Sequence, residues 1–329
     1  MKPMLWPILG AIRFCLALIV AGSHLNTFDP GTSLQLAFDG MSGFVAVLGF
    51  LIISGFSISA SQAKQPEGFY RRRLLRIMPL YVLSIVAAYA CVRGFGGTVR
   101  TASGLVYVTP SARELVENLF FLQGFTALSI KTNAVVWTLS VEVFFYVLAP
   151  LLARLSLASL IAACAVSLAL FLVSLSFHLP NFNLLQHGAA VALLGWAWLA
   201  GFIAFRLRDR RVAMLGLLVV CAVALESYAG ILNLHWFLPL AVVGVSIGFA
   251  DLVKGPRALA AGFTLLGDAS YPLYLFHLPL YITLCGLGLK LPAVVYLGAA
   301  VGLGIALDRW FDQPLKNLIR HAGSGRDQA

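Results

Sequence analysis

Apolar stretches about as long as a bilayer is thick recur along this chain from one end to the other. A helix needs roughly 20 predominantly apolar residues to cross about 30 Å of hydrocarbon. On that rule the sequence predicts ten spans, near residues 6–25, 41–61, 76–94, 134–153, 156–177, 187–205, 212–230, 235–253, 268–289 and 291–309. Hydrocarbon offers backbone amides no water, so each span must close its own hydrogen bonds as a helix. The expected fold is all-α, a single polytopic transmembrane bundle over residues 1–329. Only 11% of the residues are charged, against about 25% in an average soluble domain. That is too few to cover the surface of a soluble enzyme, and the long apolar runs exclude a disordered chain.

The net charge of +10 would suggest a nucleic-acid partner if it formed one basic face. Counted loop by loop, 17 of the 23 Lys and Arg residues fall on one side of the expected membrane and five on the other, with Arg13 inside the first span. The positive-inside rule then puts both termini in the cytoplasm, and an even number of spans agrees. The basic balance is therefore topology, and nucleic acid has no part in the reading. Five cysteines stand singly in or beside apolar runs and give no disulfide framework. No cleavage site follows the first span, so it is expected to be retained. One long external connection, about 94–133, is expected to hold a short amphipathic or re-entrant piece able to cap an external cavity. A short cytoplasmic tail, 310–329, closes the chain, and no fused extracytoplasmic domain is expected.

Ionisable groups inside spans are costly and ask for reasons. Arg13 and His24 are eleven residues apart, which puts them on one helical face separated by about 16 Å along the axis. The plainer reading is a snorkelling arginine with an interfacial histidine, but Arg13 sits two turns inside the apolar run. Glu142 enters an otherwise apolar helix with Tyr146 one turn on and Trp137 just before it. A lone carboxylate there needs a cation or a hydrogen-bond donor beside it. An interhelical pair with Arg13 or a histidine would be purely structural. Ser270, Tyr274, His277 and Tyr281 form a polar stripe on the ninth span, which also carries Pro272 and Pro279. Such breaks in the helical ladder survive where protein or a cavity re-satisfies the backbone. Arg71, Arg72, Arg73 and Arg76 would serve as a topological stop signal, or, with Arg73 and Arg76 one turn apart, as a grip on phosphates.

Some patterns carry little. His24 and Asp29 fit a His-x-x-x-x-Asp acyltransferase spacing that two residues reach easily by chance, although Pro30-Gly31 can turn Asp29 back towards His24. No GxGxxG, Walker sequence, HExxH or carboxylate-rich metal cage is present.

Taken together, five segments in order resemble acyltransferase family three. They are Arg13-x10-His24, Gly49–Phe56, Arg73-x-x-Arg76, Trp137–Glu142 with Phe144-Phe145-Tyr146, and Ser270–His277. These are integral-membrane, acyl-CoA-dependent O-acyltransferases of bacterial polysaccharides and other extracytoplasmic acceptors. The resemblance implies ten spans in the bacterial cytoplasmic (inner) membrane, with acyl-CoA entering from the cytoplasm and an acceptor modified on the far side. The acceptor would be a polysaccharide, a lipid-linked sugar or a small glycoside, with separate envelope-biosynthesis proteins as possible partners. Acetyl-CoA is the default co-substrate. A thioester is already activated, so no bound metal or redox cofactor is expected. His24 is the expected general base, with Arg13 and Glu142 beside it in the catalytic group. Arg72, Arg73 and Arg76 would hold the coenzyme A phosphates. Trp137, Tyr146, Tyr274 and His277 would line the cavity and meet the acceptor, with His277 second in line for proton transfer. A covalent acyl-histidine relay is a variant of the scheme. The rival reading is a transporter or flippase of a lipid-linked saccharide, which ten spans, broken helices and buried charges also suit.

Overall fold

A computed structural model of the chain describes residues 1–177, 182–229, 234–289 and 291–324. Helices follow one another as α1 Leu5–Ser23, α2 Leu25–Phe28, α3 Ser33–Asp39, α4 Gly43–Lys64, α5 Phe69–Arg93, α6 Ala112–Leu119, α7 Trp137–Arg154, α8 Leu157–Ser176, α9 Ala189–Arg206, α10 Arg211–Ala229, α11 Leu234–Phe249, α12 Arg257–Gly286, α13 Ala293–Leu307 and α14 Gln313–Ser324. A 3₁₀ turn, Lys131–Val136, leads into α7, and a π-turn, Asp308–Asp312, joins α13 to α14. Ten of these helices lie where the ten apolar stretches were expected. Among the described residues, seven helical segments are long and apolar enough to cross a membrane. The others are the shorter apolar α10 and α11, and α12, whose apolar run is diluted by its polar stripe.

Among the described residues, sheet is confined to two small antiparallel pairs. β1 Lys2–Pro3 pairs with β4 Lys254–Gly255, which starts α1 and α12 side by side. β2 Thr98–Arg100 and β3 Val106–Val108 form a hairpin in the long connection.

Boundaries differ from the apolar runs where a helix outlasts the hydrocarbon. α5 begins at Phe69, so Arg71, Arg72, Arg73 and Arg76 lie on its first turns rather than in the preceding loop. Gly68, at φ 64°, makes the turn that admits this start. α12 begins eleven residues before the expected span, and the last helix continues to Ser324 where a tail was expected. At α5 and α14 polar turns beyond the apolar run stay helical, whereas the added first turns of α12, residues 257–267, are themselves largely apolar. Of the residues used for orientation, Lys290 and Arg326 lie outside the described ones.

Two close helix crossings set the geometry at the centre. Helices in lipid associate through packing rather than hydrophobic exclusion, so small residues mark their contacts. A Cβ on Gly267 of α12 would stand 2.6 Å from Gly10 Cα of α1. Between α4 and α9 a Cβ on Gly201 would stand 1.9 Å from the Ile52 carbonyl oxygen, and one on Gly55 the same distance from that of Trp198. Backbone cannot step aside as a side chain can.

Gly201→Val is therefore expected to cost more than the about 1–3 kcal/mol of ordinary overpacking and to abolish the monodisperse detergent-solubilised protein. Gly216→Val, at a position with nothing within 4 Å, should purify like the parent; size-exclusion chromatography and thermal melting compare the two.

Candidate active site

The α1–α12 crossing places Arg13, one turn beyond Gly10, beside Ser270, one turn beyond Gly267. Both line a cavity of about 110 Å³ together with Arg73 and Arg76 of α5, Ser54 of α4, and Glu142 and Tyr146 of α7. Glu142 is satisfied by hydroxyls. Ser54 and Tyr146 each donate to its Oε1 at 2.5 Å. No ion pair joins Arg13, Arg73 or Arg76 to a carboxylate among the described residues. Arg73 donates to Ser61 Oγ at 2.9 Å, and its guanidinium sits over the rings of Phe69 and Tyr146. The Nε atoms of Arg13 and Arg73 are buried without a hydrogen-bond partner. The structural pairing of Glu142 with Arg13 or a histidine is thus not what the structure holds.

A second cavity of about 440 Å³ lies at the other end of α1. His24 lines it, as do Trp137, Tyr274 and, from the segment between α8 and α9, Phe182 and Asn183. Phe182 stacks on Phe44 at 4.6 Å and on Trp137 at 6.1 Å between ring centroids. Val47 and Tyr274 belong to the walls of both cavities.

Hydrogen bonding selects the tautomers of two histidines. His24 Nδ1 lies 2.8 Å from the Val20 carbonyl, and His277 Nδ1 lies 3.2 Å from that of Leu273. Carbonyls only accept, so both Nδ1 atoms carry the proton. His277 Nε2, 3.3 Å from His24 Nδ1, then faces that proton with a lone pair. The arrangement leaves His24 Nε2 as its basic nitrogen, with no hydrogen bond on it among the described residues.

The expected site residues therefore separate into two groups. Arg13, Arg73, Arg76, Glu142 and Tyr146 share the first cavity, while His24 and Trp137 are in the second. His277 is fully buried and touches His24 from behind instead of lining either cavity. Arg72 is turned away, donating to the carbonyls of Gln65 and Glu67 in the turn before α5. Asp29 does not orient His24. It accepts from Ala293 N at 2.7 Å and so caps the start of α13.

Several working residues escaped the sequence reading. Pro279 has no N–H, so the Leu275 carbonyl of α12 lacks its helical donor. Asn133, held at non-helical dihedrals in the 3₁₀ turn, donates to that carbonyl at 3.1 Å. α12 consequently runs unbroken through both prolines. The 94–133 connection does contain a short amphipathic helix, α6, with a Ser111/Glu114 capping box. Asn118 and Gln123 fasten it to α5 through Tyr81, whose hydroxyl donates to Asn118 O and accepts from Gln123 Nε2. The second cavity is covered mainly by residues 134–137 and 182–183 rather than by that connection.

Residues 6–308 match the model of a family described as an acyltransferase domain, acyltransferase family three. The chain belongs to acyltransferase family three. It is a multi-pass membrane acyltransferase, as the resemblance of the five segments implied. Membership answers the choice between enzyme and flippase that buried charges and broken helices left open. No curated protein and no solved structure matches the sequence.

Proposed function

We propose that this acyltransferase takes its acyl group from acyl-CoA at the arginine-lined cavity and esterifies a carbohydrate hydroxyl in the histidine-lined one. One observation carries the reading. Two cavities stand back to back along α1, one lined by three arginines that form no ion pair among the described residues, the other by a histidine whose Nε2 has no hydrogen bond among them. Guanidinium groups left without ion pairs on a cavity wall suit an anionic ligand.

In this scheme Arg73 and Arg76 hold coenzyme A phosphates at the cytoplasmic mouth, and Arg13 draws the thioester inward and steadies its carbonyl oxygen. Glu142, anchored by Ser54 and Tyr146, balances part of the positive charge. At 110 Å³ the first cavity suits the narrow thioester end of the donor, not its nucleotide. The second lies within the range of about 300–1,000 Å³ typical of small-molecule sites, and Trp137, Phe182 and Phe44 supply flat aromatic faces for the C–H face of a sugar ring.

The acceptor oxygen attacks the thioester carbonyl carbon while its proton passes to His24 Nε2. The C–S bond then breaks, and the leaving coenzyme A thiolate takes up that proton. His277 keeps His24 in the productive tautomer and is a positioning residue. Acetyl is the favoured acyl group. The excess of Lys and Arg at the Arg73 end supports a cytoplasmic donor side in a bacterial inner membrane, with both termini on that side. The acceptor then stands on the far side as a polysaccharide, lipid-linked sugar or small glycoside, supplied by separate envelope-biosynthesis proteins.

His24→Ala should lower acyl transfer about 10²- to 10⁴-fold, the usual worth of a general base, with membrane insertion and abundance unchanged on immunoblots. Full activity would remove His24 from the chemistry. Replacing Arg73 and Arg76 together by Ala should raise the KM for acyl-CoA about ten-fold or more, as expected for losing charged hydrogen bonds, and leave the KM for acceptor nearly unmoved. Equal effects on both substrates would return these arginines to a topological role.

A further inference from the structure

Two residues, Tyr274 and Val47, line both cavities. The Tyr274 hydroxyl donates to the Val135 carbonyl at 3.0 Å and stands 2.7 Å from Thr138 Oγ1, which itself lies 3.1 Å from the same carbonyl. This triangle bolts the tip of a residue on α12 to the start of α7 where the two cavities share a wall. Phe50 of α4 braces the ring edge-on, with centroids 5.5 Å apart. Val47 is the other residue common to both walls, and it is small. Arg13 and His24 lie about 16 Å apart along α1. A thioester drawn in by Arg13 therefore has to pass Tyr274 before an acceptor poised at His24 can reach it.

We propose that Tyr274 is the specificity-determining barrier of the transfer, closing the passage between the two chambers and limiting which acyl groups cross. The identity of what crosses rests on the proposed function; the barrier itself rests on the shared wall. While the hydroxyl sits in the Thr138–Val135 triangle, the ring separates the thioester from water in the larger chamber, which suppresses hydrolysis of the donor. Leaving the triangle swings the ring aside far enough for a short acyl group. A longer one requires Phe50 and Val47 to move as well and is retained on the donor side.

The test works on the full chain in sealed membranes and needs no turnover. Ser57, on the wall of the arginine chamber only, is replaced by cysteine. A small membrane-impermeant methanethiosulfonate is then added at the face that bears residues 94–133, with the Ser57 parent giving the background from the five native cysteines. Labelling of Ser57→Cys should be slow with Tyr274 in place and about ten-fold or more faster with Tyr274→Ala, the scale expected for two lost hydrogen bonds. Tyr274→Phe keeps the ring, loses the hydroxyl, and should fall between them. Equal rates in all three overturn the barrier.

In the same Tyr274→Ala chain the ratio of butyryl to acetyl transfer should rise by a similar factor, and an unchanged ratio removes Tyr274 from acyl selection. Should acyl-CoA prove not to be the donor while the labelling order holds, the proposed function fails and the barrier stands. Acyl transfer with equal labelling rates gives the opposite result.

Discussion

Three arginines line one small cavity, Arg13 and Arg73 half-buried and Arg76 exposed, and among the described residues the carboxylate on its wall, Glu142, is already held by two hydroxyls. Charge buried in a low-dielectric interior is expensive unless paired, and breaking a pair costs more than never forming one. Here no ion pair to Arg13, Arg73 or Arg76 forms among the described residues. That constraint orders the rest of the structure. Ser54 and Tyr146 hold Glu142 by hydrogen bonds, Phe69 and Tyr146 give Arg73 aromatic faces, and Arg72 is diverted to the turn before α5.

Holding such a cavity open requires the surrounding backbone to be rigid and close. Glycine pairs let α1 meet α12 and α4 meet α9 at distances no other residue permits, so the helices that carry Arg13, Ser54, Ser270 and Tyr274 have little freedom to drift. Two prolines would ordinarily kink α12 where it passes the cavities. Asn133 answers the carbonyl that Pro279 leaves bare, at about the place where a buried unsatisfied group would cost about 1–3 kcal/mol. The same 3₁₀ turn presents Val135 to Tyr274, so one short non-helical piece both repairs α12 and builds the wall between the chambers.

Much of the fold could be read from periodicity and apolar length, because bilayer thickness imposes one ruler on every span. Helix ends could not, since the arginine cluster of residues 71–76 is helical although polar, and residues 257–267, largely apolar, carry α12 past the length that hydrocarbon requires. Arg13, His24 and Glu142 were visible because ionisable groups stand out against apolar neighbours. Their division between two cavities was not, because spacing along α1 gives separation but not what lies between. His277 looked like a wall residue from its stripe, whereas the turn of α12 points it at His24. Asn133 gave no signal and Thr138 none beyond its place in the Trp137–Glu142 segment: each is an ordinary polar residue near a span end, and each matters through a partner 142 or 136 positions away.

The central claim is that donor and acceptor occupy opposite chambers and that the acyl group crosses between them. Purified protein in sealed vesicles, oriented one way, with acyl-labelled acetyl-CoA on the face of the Arg73 cluster and glycan on the other, tests it directly. The account predicts label on the glycan as an alkali-labile ester. Ester formed only when both substrates share one face, or no ester in either arrangement, would contradict it.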